Sequence, residues 1–405
     1  MKNLSIYLSG LLLFILLSIC FISWYTGMGL RVSDGKYIGY SAKTNEWLLL
    51  EYQNIPVVHD GPYVFNSDGK RFADYISGDK TSPAKLSRID VKDSILVTVD
   101  NELNTTFEVK LKNSYPRSDL DIPSPDRYLA ISDMEGDFDA MVRLLRSNGV
   151  INDALDWTYG SSHIVLIGDM VDRGINVVPL LWLIYKLETE AKLAGGNVHY
   201  ILGNHERYLL DGRVKSAAKK YYGTFRTTGM SPHELWSEYS ELGLWLRSKP
   251  VILKVGDTLF VHGGISPRAL GYNLSLEAID AEAKRNFVIG DTVRRNINDS
   301  ILHGSDGLLF YRNLAKDMSK YELGDKVGVD HVNKVLSEFK VKRLAIGHTL
   351  ARNIGHDYGG KVIRVDVPHS EGTSEALLME NSSFWVVDNK GERSPLNKLG
   401  HLSIK

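Results

Sequence analysis

Five short apolar runs, each stopping abruptly at polar residues able to hold a metal, constrain this chain more than any other feature. Tyr128-Leu-Ala-Ile-Ser leads into Asp133-Met-Glu135-Gly-Asp137, and His163-Ile-Val-Leu-Ile into Gly168-Asp169-Met-Val-Asp172-Arg173-Gly174. Val198-His-Tyr-Ile-Leu leads into Gly203-Asn204-His205-Glu206, Thr258-Leu-Phe-Val into His262-Gly-Gly-Ile-Ser-Pro267, and Arg343-Leu-Ala-Ile into Gly347-His348-Thr349. Continuous apolar runs this short are the pattern of strands buried on both faces. Helical patterns follow the first three, over Phe138 to Ser147, Val177 to Leu193, and Arg207 to about Lys219. Alternating strand, polar turn and helix predicts an α/β body, whose functional groups gather beyond the carboxyl ends of the strands. The five turns then deliver Asp, Glu, Asn and His into one crevice.

Composition narrows the chemistry of that crevice. The single cysteine, Cys20, excludes a thiolate metal site as well as an internal disulfide framework. Lys and Arg number 48 against 49 Asp and Glu, so the basic excess of a nucleic-acid binder is missing and no nucleic-acid partner is expected. Oxygen and imidazole ligands remain, and a carboxylate at a strand end can bridge two divalent cations. A water acidified by both cations becomes hydroxide near neutral pH and attacks phosphorus in line. An arginine adds bidentate phosphate recognition, and a histidine can protonate the leaving alkoxide.

Gly-Asp169-x-x-Asp172-Arg173-Gly, Gly-Asn204-His205-Glu206, His262-Gly-Gly-Ile-Ser-Pro and Gly-His348-Thr resemble motifs of the calcineurin-like metallophosphoesterases. The Asp-Arg-Gly and Asn-His-Glu versions are closest to the serine/threonine phosphoprotein phosphatase branch, with its bacterial Shewanella-like relatives. The resemblance spans about Tyr128 to Asp366 and implies an α/β fold, a metallophosphoesterase-type β-sandwich flanked by helices. It implies a metal-dependent phosphatase hydrolysing phosphomonoesters, with phosphoserine or phosphothreonine protein among the substrates. Asp133 resembles a ligand of the first metal and Asp169 the bridging carboxylate. Asn204, His262 and His348 resemble ligands of the second metal. His205 resembles the general acid, oriented by Asp172, and Arg173 a phosphate-binding arginine. Gly307-Leu-Leu-Phe-Tyr311-Arg312 is similar to a Gly-x-x-x-Tyr-Arg segment of the Shewanella-like group, which makes Arg312 a second phosphate clamp.

One position departs from the family. Its first motif reads Gly-Asp-x-His-Gly, whereas this chain has Ser132-Asp133-Met134-Glu135-Gly136. If Glu135 coordinates in place of the histidine, the first site is all oxygen and favours Mn²⁺ or Mg²⁺ over iron or zinc. If it does not, a phosphate-binding pseudoenzyme is the alternative. A nucleotide or diadenosine polyphosphate hydrolase is the other rival, although no aromatic pair suited to a base stands out.

The rest of the chain divides into residues 1–30, 31–121 and 122–405. From Asn3 to Leu30 no Asp, Glu, Lys or Arg occurs. Residues 4–25, about 33 Å as a helix, match a bilayer core and predict a single-pass N-terminal membrane anchor. A cleaved signal peptide would have a shorter apolar core and a small-residue cleavage site. The short N-terminal tail favours an extracytoplasmic catalytic body. Residues 31–121 are expected to form a small β-rich module, with strands at Trp47–Tyr52, Ser94–Val99 and Thr106–Leu111, and 122–405 the catalytic domain. His163, His199 and His233 are expected to pack or bond locally. His303, His356 and His369 lie in loops near the motifs. Lys215 to Lys220 is expected to be a solvated helix face, and Trp236 and Trp245 core residues.

Overall fold

In the computed structural model, which describes residues 10–18, 30–33, 36–41, 46–51, 55–67, 69–79, 84–288, 304–315 and 327–399, all five apolar runs are strands. They are distributed over two six-stranded sheets. The elements used below are, from the amino end, β1 (Ser94–Thr98), β2 (Thr106–Lys110), β3 (Arg127–Ile131), β4 (His163–Leu166), β5 (Asn197–Tyr200), β6 (Thr258–Val261), β7 (Arg343–Ile346) and β8 (Val362–Arg364). Strands β3, β4 and β5 run parallel in one sheet, and β6, β7 and β8 run parallel in the other.

The runs are mainly apolar because each strand is covered on both faces. Tyr128, Ala130, Val165 and Ile167 point into the layer between the sheets, where Phe260, Ala345, Ile363 and Val365 meet them. Their neighbours Leu129, Ile131, Ile164 and Leu166, with Leu259 and Val261 opposite, belong to a second core facing the helices. A strand with period-two side chains and no solvent face admits a polar residue before its end only where a partner meets it, as His163 meets His199 inside β5.

The helix Phe138–Ser147 forms where its pattern places it, with Asp137 capping it by accepting from the Ala140 N–H at 2.9 Å. The helix Val177–Leu193 is buried nearly all round. One side lies on the sheet, and the other is covered by the β-rich segment through the Trp182 Nε1–H bond to the Pro62 carbonyl (2.9 Å) and the Lys112 N–H bond to the Tyr185 hydroxyl (2.7 Å). Val97, Phe107 and Val109 of that segment lie in the same core as Phe138, Leu144 and Leu181, and Phe107 stacks on Phe138 at 5.9 Å.

Two local expectations are corrected. The helix expected from Arg207 to Lys219 instead spans Asn204–Leu210, and a separate helix starts at Lys220. Gly212, at φ +70° and against the His233 backbone, turns the chain between them. Of the lysine run, Lys215 and Lys219 are exposed as expected, but Lys220 is buried and pairs with Asp100 at 3.0 Å. Trp236 and Trp245 are core residues as expected. Of the expected anchor, only residues 10–18 are described; they form a helix with exposed leucines, and Cys20, Trp24 and Tyr25 lie outside the described residues, as does His303. Among the described residues no helix is long and apolar enough to cross a membrane.

Candidate metal centre and phosphate crevice

The turns that follow β3, β4, β5, β6 and β7 meet at one end of the two sheets. Their backbones interlock: the Asp133 N–H donates to the Gly168 carbonyl (3.0 Å), the Glu135 N–H to the Asp169 carbonyl (2.9 Å), and the Gly347 N–H to the His262 carbonyl (2.8 Å). This end of the molecule holds unusual backbone. Asp133, Glu135, Asp169, Asp172, Arg173 and His348 all have φ between +50° and +70°. Such conformations persist only where the surroundings enforce them, and they gather at functional sites. At Gly347 a Cβ would sit 2.0 Å from Ser132 Oγ and 2.6 Å from Asp133 Oδ2, so the glycine is needed for the turns to approach.

Every site residue expected from the motifs borders or lies just behind one crevice. Asp169 is at its centre. Its Oδ1 accepts from the His205 N–H (2.8 Å), and its Oδ2 lies 3.1 Å from His262 Nε2 and 3.8 Å from His205 Nε2. Burial opposes its ionisation, yet His262 and His205 hold its carboxyl well below the usual range. His262 is fully buried, and its Nδ1 faces the Ile167 carbonyl at 2.7 Å. That bond sets Nδ1 as the N–H and turns Nε2, 3.1 Å from Asn204 Oδ1, toward the Asp169 carboxylate, where it could hold a metal. One ligand atom each of Asp169, His262 and His348 lies within 4.8 Å of the others.

On the adjoining side, Asp133 Oδ2 accepts from Ser132 Oγ (2.5 Å) and the His348 N–H (3.0 Å). Burial and the Asp169 charge push its carboxyl up to about 6, against the pull of His262. Glu135 forms an ion pair with Arg173. Burial, with Asp133 and Asp169 nearby, raises its carboxyl to about 7 despite that arginine. Glu135 therefore faces the crevice, held by Arg173. The His205 ring completes the set, its Nδ1 2.8 Å from Asp172 Oδ2. Arg312 donates to the His348 carbonyl, which braces that turn.

Three residues beyond the motif assignments also shape the site. Asp366 follows β8 as His348 follows β7, at the same end of neighbouring parallel strands. It is 6% exposed and lines the crevice; burial and the charges of Asp133 and Glu135 raise its carboxyl well above the usual range. Its sequence signal was a strand ending in Asp, the same signal that marks the motifs, but without their glycines. Glu206 is fully buried behind Asp169. Its carboxylate accepts from the N–H groups of Asp169 (2.9 Å), Met170 (2.8 Å) and Gly203 (2.7 Å) and from the Tyr200 hydroxyl (2.7 Å). His369 is buried between the Ser132 carbonyl (3.0 Å) and Ser374 Oγ (2.9 Å), bracing the strand end that carries Asp133. His163 and His199 bond to each other at 3.0 Å and neither lines the crevice; His356 does not line it either.

The donor set fits divalent cations. Three carboxyls with raised proton affinity, grouped beside an ionised fourth, are the arrangement that a cation relieves. The His262 imidazole, with its second nitrogen tied to a carbonyl, adds a neutral ligand.

Residues 127–352, more than half of the chain, match the family described as calcineurin-like phosphoesterase. The chain is 25% identical to "Shewanella-like protein phosphatase 2" of Arabidopsis thaliana, over 62% of its own length and 74% of that protein's. It is 27% identical to "Shewanella-like protein phosphatase 1" of Plasmodium berghei, over 62% of this chain and 68% of the relative. Among solved structures it resembles a cold-active protein-tyrosine phosphatase of a psychrophilic Shewanella species. That match has a TM-score of 0.74 and 27% identity, and covers 84% of this chain and 100% of the other.

Proposed function

The chain belongs to the calcineurin-like phosphoesterase family, and from that premise we propose that its crevice hydrolyses phosphomonoesters, with the residues below in the stated roles. It is a metal-dependent phosphatase. The observation that carries the site assignment is the buried cluster of Asp169, His262 and His348, one ligand atom of each lying within 4.8 Å of the others. Asp133 and Glu135, with Asp366 beside them, would hold one cation with it, and Asn204, His262 and His348 the other. The oxygen-rich first group suits Mn²⁺ or Mg²⁺. When bound, such cations supply Lewis-acid polarisation of the phosphoryl oxygens and lower the pKa of a water molecule.

The chain's own groups do the rest. Arg173 and Arg312 converge on the crevice and orient the phosphoryl group. Phosphate competes with Glu135 for Arg173, so substrate entry and the release of Glu135 toward the carboxylate cluster favour each other. His205 donates its Nε2 proton to the leaving oxygen as the P–O bond breaks, and Asp172, bonded at Nδ1, keeps the ring oriented for it. Purified protein supplied with Mn²⁺ or Mg²⁺ should release p-nitrophenolate from p-nitrophenyl phosphate, and the Asp169→Asn variant should fall by at least about 100-fold. Equal rates for the two proteins would sink the assignment.

The proposal extends to residues 4–25 as a single-pass anchor, on the strength of their length and lack of charge, with the body extracytoplasmic because so short a tail precedes them. Full-length protein should stay with membranes through an alkaline wash; recovery in the soluble fraction would contradict the anchor.

A further inference from the structure

The crevice is larger than a phosphate ester needs. Its volume is about 1370 Å³, beyond the roughly 300–1,000 Å³ of ordinary small-molecule pockets. Past Glu135 and Arg173 it continues to the turn between β1 and β2, residues 100–105, and along the helix Phe138–Ser147. That turn comes from the β-rich segment, to which the phosphatase chemistry gives no task.

The turn is held in place from several directions. Asn176 stands at the N-cap of the helix Val177–Leu193 but makes no side-chain cap bond. Its amide instead accepts from the Asp100 N–H (3.1 Å) and donates to the Asp100 carbonyl (3.0 Å). Lys220 pairs with the Asp100 carboxylate at 3.0 Å, and Asn101 Nδ2 donates to Asp139 Oδ1 at 2.8 Å. Asn176 lies three residues after Arg173, so the turn is fixed relative to the phosphate end of the crevice. At its tip Leu103 is 84% exposed while lining the crevice. One helical turn beyond Asp139, Arg143 also lines it, exposed and carrying no ion pair among the described residues.

An exposed leucine on a fixed wall gains only when an apolar group covers it, and an arginine fork pairs with a carboxylate or a phosphate, the latter already met by Arg173 and Arg312 elsewhere in the crevice. A nucleobase would need an exposed ring to stack on; the carbocyclic ring that lines the crevice, Phe138, is buried. We propose that the 100–105 turn and Arg143 form a recognition wall for the polypeptide flanking a phosphorylated residue, with Leu103 contacting an apolar side chain and Arg143 an acidic one. The inference rests on the reading of the crevice as a phosphatase site and names its substrate class as phosphoprotein.

The test uses the full chain and fluorescein-labelled peptides bearing non-hydrolysable phosphonate analogues of phosphoserine or phosphotyrosine. One set carries Leu and Glu beside the phosphonate and the other carries Gly. Anisotropy should show wild type binding the Leu/Glu set about tenfold tighter than the Gly set. Leu103→Ser and Arg143→Ser should each reduce that ratio several-fold, and Leu193→Ser, an exposed leucine outside the crevice lining, should not. A ratio near one in wild type, or an unchanged ratio in both variants, overturns the wall. Because binding is read without turnover, the two readings separate. Selective binding with no hydrolysis of p-nitrophenyl phosphate would sink the catalytic reading alone, and hydrolysis with no selectivity would sink the wall alone.

Discussion

Glu206 shows how much of the site is held by a residue that never touches the crevice. Its carboxylate satisfies three N–H groups from the turns after β4 and β5, the turns that carry Asp169 and Asn204. Removing it leaves those three N–H groups and the buried Tyr200 hydroxyl without their acceptor, each worth roughly 1–3 kcal/mol. Glu206→Ala should therefore destabilise the fold by at least about 3 kcal/mol in urea unfolding, and weaken Mn²⁺ binding as well; a loss below about 1 kcal/mol would show that the bonds are dispensable. The residue lies inside a motif, so its importance was legible, but not its task. Burial and bonding direction are tertiary facts. Asp366 was harder to find: its strand ends without the glycines that mark the other turns, and its place beside Asp133 depends on β8 pairing with β7. Glu135 was visible as a departure from the family pattern, and its partner Arg173 is 38 positions away in sequence.

At the scale of elements, the strands were legible because each is buried on both faces, which leaves a run of apolar residues with sharp ends. The helix Phe138–Ser147 was legible from its periodicity. The stretch after Asn204 was not, because a glycine in the left-handed region at 212 interrupts a pattern that otherwise continues. The β-rich segment was legible as strands and illegible as a partner, since nothing in Val97 or Phe107 says which surface they will cover. Their burial in the core of the body predicts cooperative behaviour. Phe107→Ala removes a ring stacked on Phe138 and should cost about 3–5 kcal/mol. In calorimetry it should lower the midpoint of a single transition. A separate early transition, leaving the main one unmoved, would show that the segment folds on its own.

For the whole molecule, the two sheets act as a frame that brings five turns to one end, and the charge balance of the chain conceals how unevenly charge is placed. Carboxylates that repel one another are collected where cations can bind, with Arg173 and Arg312 lining the same crevice. The energetic logic is that binding a cation stabilises the arrangement and prepares it for an anionic substrate. Protein stripped of metal by a chelator and titrated with Mn²⁺ puts this to the most direct test, with bound metal and p-nitrophenyl phosphate hydrolysis followed together. The stripped protein should be inactive, and activity should rise with occupancy and level off near two equivalents per chain. Full activity in the stripped protein, or occupancy of both sites with no turnover, would contradict it.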